Sequence, residues 1–187
     1  MAFARNPGKQ KAPLAEPALY HYAVKALGRR MRTEVELRRL LVERAEPGPH
    51  GESAVTAVIS RLKEQRYLND HSYAETYARL RHENEKLGQR RVRRDLQQKG
   101  IRPDLIAETL EARYGQTNEE DLARQFLSQK RISNPESPKE TARVMRRLVT
   151  AGFSTGVIYK ILRQWNVPDE SLAALENLGD DDATNSE

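Results

Sequence analysis

Residues 88–101 recur 52 positions later in the chain, and that repeat restricts the fold to architectures that stack one small unit on the next. Without a gap, Arg91 corresponds to Arg143, Val92 to Val144, Arg94 to Arg146, Leu96 to Leu148 and Gly100 to Gly152. The match runs on through Ile101 to Phe153, Ile106 to Ile158 and Leu110 to Leu162. A looser copy lies 55 positions earlier, where Tyr77 maps to Tyr22, Ala78 to Ala23, Val92 to Leu37, Arg94 to Arg39 and Leu96 to Leu41. In that copy Ala45 stands where the later ones have glycine. The spacing is of the order expected for repeats of two or three helices.

The repeated stretch reads as a helix. At about 100° per residue, Val92 and Leu96 share one narrow apolar stripe, and Arg90, Arg93 and Arg94 fall on the opposite side. Such a helix packs inward through a few side chains and faces outward with charge. Gly100 sits where a left-handed C-terminal cap is wanted, with Lys99 suited to the negative dipole end and Ile101 able to fold back. Pro103 then opens the next helix, where a missing amide hydrogen costs nothing.

Read in order, the chain divides into a disordered basic arm over 1–16, three-helix repeats over 17–68, 69–116 and 117–168, and an acidic disordered tail over 169–187. The expected fold is all-α, three tandem helix-turn-helix-like repeats forming an elongated, curved molecule. In the first repeat Thr33 is an N-cap with Glu36 in the reciprocal capping-box position. Leu37, Leu40 and Leu41 form the buried stripe of its second helix, leaving Arg38 and Arg39 outside. Pro47, Gly48, Pro49 and Gly51 break the chain, after which Ser53 is expected to cap a third helix carrying Val55, Val58, Ile59 and Leu62. Asn69 or Asp70 caps the first helix of the second repeat, along which Tyr73 and Tyr77 are expected to be core. In the third repeat Asn118, Ser137 and Ser154 are the N-caps, and Trp165 is a core residue.

Charge narrows the partner. All 32 Lys and Arg precede Asn166, together with 20 of the 27 acidic residues, so residues 1–165 carry +12 and the remainder seven acids without a base. Between Arg79 and Arg102 nine bases face three acids, the densest charge in the chain. Like charges on one helix face repel by a few tenths of a kcal/mol per pair, so a polyanion that neutralises them is the natural partner. The plainer reading is a solvated helical surface.

Catalytic and cofactor signatures are missing. His21, His50, His71 and His82 lack zinc-type spacing, and the chain contains no P-loop, GxGxxG, nucleophile elbow or HExxH. There is no cysteine, which argues against disulfides and thiolate metal sites, and no apolar run of membrane-spanning length. A non-enzymatic, cofactor-free cytoplasmic protein is expected.

Three segments carry a resemblance to a known family: Ala26-Leu27 through Arg32-Thr33-Glu34-Val35-Glu36-Leu37, then Tyr67-Leu68-Asn69-Asp70 with Tyr73-Ala74, and residues 88–101 ending in Lys99-Gly100-Ile101. In these the chain resembles the RecX family of bacterial recombination regulators over about residues 17–168. The resemblance implies binding to the RecA recombinase filament on single-stranded DNA, restraining filament growth, ATP hydrolysis and strand exchange. The recurrence of arginines along the serial modules, read from the residues themselves, makes Arg90, Arg91, Arg93 and Arg94 the expected central contacts, with Arg38 and Arg39 before them and Arg143, Arg146 and Arg147 after. Double-stranded DNA is a further expected partner, a membrane is not, and a monomer is expected. An independent nucleic-acid-binding repeat protein and a protein–protein scaffold remain the alternatives.

Overall fold

The computed structural model describes residues 12–168; residues 1–11 of the basic arm and the whole acidic tail lie outside them. Among the described residues there are nine helices and no strand. They run α1 (Glu16–Arg29), α2 (Glu34–Val42), α3 (Pro49–Glu64), α4 (Asp70–Glu83), α5 (Gln89–Gln98), α6 (Pro103–Tyr114), α7 (Glu119–Gln129), α8 (Pro138–Ala151) and α9 (Thr155–Gln164). The sequence matches survive as matches of burial: Val92, Val144 and Leu37 are buried, as are Leu96, Leu148 and Leu41. Ile106 and Ile158 are likewise buried, and Leu110 and Leu162 are inaccessible. Each such leucine or isoleucine contributes about 1.5–3 kcal/mol on leaving water, so the repeat is a repeat of core positions.

Contacts divide the described residues into two compact units, one formed by residues 12–74 and Lys99–Arg102, the other by Glu75–Gln98 and residues 103–168. In the first unit α1 supplies Leu19, Ala23 and Ala26, α2 supplies Leu37 and Leu41, and α3 supplies Val55, Val58, Ile59 and Leu62. The Thr33 hydroxyl accepts from the Glu36 amide at 3.1 Å, as a capping threonine should, and donates to the Lys99 carbonyl at 2.7 Å. Glu36 meets the Lys99 ammonium at 3.0 Å rather than closing the box on its own helix. Gly100 has φ +77°, and a Cβ there would lie 2.6 Å from Val35. The turn that ends the repeated stretch thus packs within the first unit.

Several local expectations change. Leu14, placed in the arm, donates its amide to the Arg44 carbonyl at 2.8 Å and packs against the core. The third helix begins at Pro49 with Gly48 as its N-cap, four residues before Ser53, because Pro49 fits the first turn and the Gly-Pro pair opens the helix instead of ending a loop. Asn69 is the cap of α4, accepting from the Ser72 amide at 3.1 Å, and Asp70 turns its carboxylate to the Glu34 amide at 2.8 Å. Burial pushes the Asp70 carboxyl above its ordinary value. Ser154 holds the N-cap position of α9 without a capping bond, since its amide and its hydroxyl both go to Glu119, each at 2.7 Å. Trp165 is half-buried at the end of α9.

Candidate functional site

In the second unit the beginning of α5 meets the end of α8. The Gly88 amide donates to the Ala151 carbonyl at 2.9 Å, placing the positive end of one helix dipole against the negative end of the other. Neither glycine tolerates a side chain in this arrangement. A Cβ on Gly88 would meet the Gly152 carbonyl, and one on Gly152 would lie 2.5 Å from the Arg91 Cβ. Gly152 also has φ +92° and ends α8 in the expected left-handed cap. Two positions singled out by the repeat, the start of the central copy and the cap of the later one, therefore pack on each other.

This junction forms one wall of a cavity of about 680 Å³. Four of the nine arginines of the sequence-derived set line it: Arg91 from α5, and Arg143, Arg146 and Arg147 from α8. Lys130, just past α7, adds a fifth cation, and Glu85 is the single carboxylate among the lining residues. Leu87, Phe126, Ile132 and Ala151 supply apolar surface between them. The Phe126 ring is fixed by an edge-on contact with Phe153, centroids 5.7 Å apart. Leu87 is fixed through its carbonyl, which accepts from the Tyr114 hydroxyl at 3.0 Å. Burial pushes that phenol well above its ordinary range, so it stays protonated and keeps donating.

The cations differ in how far they are already engaged. Arg91 Nε lies 2.9 Å from Asp95 Oδ1 without the alignment of a hydrogen bond, and Asp95 also accepts from the Tyr77 hydroxyl at 3.0 Å. Glu85 is taken by Arg81, whose guanidinium also lies over the Tyr77 ring, 4.6 Å from its centroid. Among the described residues no carboxylate lies within ion-pair distance of Arg143, Arg146 or Arg147, and all three are exposed. Among the described residues the uncompensated charge of the cavity is therefore on α8 and on Lys130, which has no ion pair either.

The remaining members of the set lie elsewhere. Arg93 and Arg94 are exposed on the outer side of α5, away from that cavity, and Arg90 lines a separate cavity with Gln89, Tyr114 and Glu119. Arg38 and Arg39 belong to the first unit; Arg38 is paired with Glu34 at 3.6 Å and donates to the Thr56 hydroxyl at 3.3 Å. Sequence reasoning did not single out Lys130 or the apolar lining. Lys130 follows α7 in a turn closed by Arg131 at φ +52°, and no glycine marks that turn. Among the described residues no group of His, Cys, Asp or Glu side chains could hold a metal ion, and no helix is long and apolar enough to cross a membrane.

Residues 69–110 match the family model for the second three-helix domain of RecX. The regulatory protein RecX of Deinococcus radiodurans is 36% identical over 149 residues, which cover 79% of this chain and 68% of the relative. That of Bacillus velezensis is 31% identical over 160 residues, covering 85% of this chain and 59% of the relative. Two crystal structures share the fold. One of a regulatory protein RecX superposes with a TM-score of 0.65 at 26% identity, covering 80% of this chain and 73% of the other. One of RecX from Lactobacillus salivarius superposes with a TM-score of 0.62 at 21% identity, covering 81% and 96%.

Proposed function

Because the chain belongs to the RecX family of regulatory proteins, we propose that it binds RecA filaments on single-stranded DNA and restrains their growth, ATP hydrolysis and strand exchange. The observation that carries this reading is the gathering of Arg91, Arg143, Arg146 and Arg147 on one cavity, from helices 52 residues apart in the repeat, with the α8 arginines left without carboxylate partners among the described residues. Charge held unpaired in this way favours a polyanion, and a nucleoprotein filament offers one phosphate array after another. Arg90, Arg93 and Arg94 on the same central helix, with Arg38 and Arg39 in the first unit, add further contacts in the proposal.

Repeats over 17–68, 69–116 and 117–168 would each make a weak contact, and tethering them in one chain multiplies those contacts through effective concentration. The role requires no catalysis, consistent with relatives named as regulatory proteins, and the setting we propose is the cytoplasm, where RecA filaments assemble. The test is steady-state ATP hydrolysis by RecA on preassembled single-stranded DNA filaments at fixed near-physiological salt. Inhibition at protein amounts well below the RecA concentration, undiminished by added free DNA, is expected. Inhibition that sets in only when the DNA is saturated with this protein would overturn filament binding in favour of independent nucleic-acid binding.

A further inference from the structure

The cavity between the turns after α4 and α7, the start of α5 and the body of α8 is more than a charged surface, because its cations surround an apolar floor. We infer that it is a nucleotide-binding pocket, in which phosphate is held by Arg143, Arg146, Arg147 and Lys130 while the base lies on Leu87 and Ile132, the two apolar lining residues that are partly exposed, with Phe126 buried beneath. This rests on the reading that the central cations face nucleic acid, and narrows it to one unpaired nucleotide seated at one place in the second unit.

Size, donor inventory and charge all bear on the choice of ligand. A volume of about 680 Å³ falls within the range of about 300–1,000 Å³ typical of small-ligand sites, whereas a purely electrostatic contact with a strand needs no cavity at all. Arginine and lysine only donate hydrogen bonds, and a phosphodiester only accepts them, so the two match without remainder. An acidic peptide fits less well. It brings a backbone amide donor at nearly every residue, and the lining offers as side-chain acceptors only the Thr150 hydroxyl and Glu85, which Arg81 already engages. The apolar floor is also what a strand without a partner strand can use, since an unpaired base exposes its face and a paired one does not.

The phosphate and base could come from a DNA strand or from a free nucleotide, and the experiment separates them. Fluorescence anisotropy of an end-labelled oligothymidylate of roughly twelve nucleotides is measured with the full chain alone, without recombinase. Two double variants of equal charge are compared, Arg143→Gln with Arg147→Gln in the pocket and Lys25→Gln with Lys139→Gln on exposed surface outside it. All four positions are exposed, so helicity by circular dichroism should match the parent. The pocket pair is expected to weaken strand binding roughly tenfold and to lower the salt slope by about two, and the control pair to change affinity by less than about twofold. Displacement of the label by thymidine monophosphate would identify a pocket that accepts free nucleotide; displacement only by unlabelled strand would restrict it to chain-borne nucleotides.

Equal weakening by both pairs, or displacement by polyglutamate as effective as by strand, would overturn the pocket and leave a general anion surface. Running the pocket pair in the filament ATPase assay separates the two claims. Lost strand binding with retained inhibition leaves the pocket standing and removes its part in filament regulation. Retained strand binding with lost inhibition does the reverse.

Discussion

His82 lies in the second unit with its ring edge-on to Tyr114, centroids 5.0 Å apart, and its Nε2 is 3.3 Å from the Thr117 hydroxyl. Its Nδ1 is buried without a partner. Burial, then the nearby charges of Arg113 and Lys86, hold its pKa below the ordinary value, with Glu83 pulling the other way. The linkage has a definite sign. The unfolded chain takes up a proton below about pH 6.5 while the folded chain resists it, so stability is complete above that pH and declines as pH falls through the depressed folded value. The melting temperature of the parent should therefore drop between about pH 7.5 and pH 5.5. A His82→Phe variant keeps the ring contact but cannot titrate, and its melting temperature should fall less over the same interval. Parallel curves for the two proteins would show that His82 is not the responsible group.

The same distinction between a residue's type and its surroundings governs the helix ends, and Gly152 is the sharpest case. Two effects oppose a side chain there: the left-handed backbone at φ +92°, and the approach of α5, which leaves only 2.5 Å to the Arg91 Cβ. Gly48 marks a different constraint: its φ is +93° but its ψ is −175°, a region that glycine alone occupies readily, and nothing lies within 4 Å of its would-be Cβ. Gly48→Ala should therefore cost about 1–3 kcal/mol from backbone strain alone. Gly152→Ala should cost at least about 3 kcal/mol, about 1 kcal/mol for a left-handed alanine and the rest because backbone must move, and it should also disturb the cavity wall that Arg91 lines. The shift of the urea midpoint measures the Gly152 cost, and a loss of only about 1 kcal/mol would mean that the α5–α8 junction gives way freely. The cap at Gly152 was legible in the sequence, as were Thr33, Asn118 and Ser137, because each is a local pattern with its own signature. Other helix ends were not. The turns after α3, α4, α7 and α9 close with Arg66, Lys86, Arg131 and Asn166 at positive φ, where local preference points to glycine and an apolar residue just beyond, such as Leu68 or Val167, is buried instead. At Ser154 the cap position was legible but its hydrogen bonds were not, because their acceptor Glu119 lies 35 residues away. The candidate site divides along the same line: the α8 arginines were visible as repeat positions, while Lys130 and Phe126 join them only through tertiary packing.

At the scale of the whole molecule the governing quantity is where the charge lies along the chain. Residues 1–165 carry +12, and 169–187 carry seven acids and no base, so the two segments attract each other and both compete for the ions around any nucleic acid. Deleting 169–187 raises the formal net charge from +5 to +12 without removing a described residue. Its effect on binding should therefore be electrostatic and screened. At about 0.05 M salt the truncated chain should bind single-stranded DNA several-fold more tightly than the full one. By about 0.5 M salt, where the screening length is only about 4 Å, the two affinities should converge. A variant that keeps the length of the segment but replaces its seven acids with Gln and Asn should behave as the truncation does, because charge and not chain length is the cause. An advantage that persisted at high salt would instead indicate that the segment excludes DNA sterically. No advantage at any salt would mean that its charges do not reach the field of the arginines.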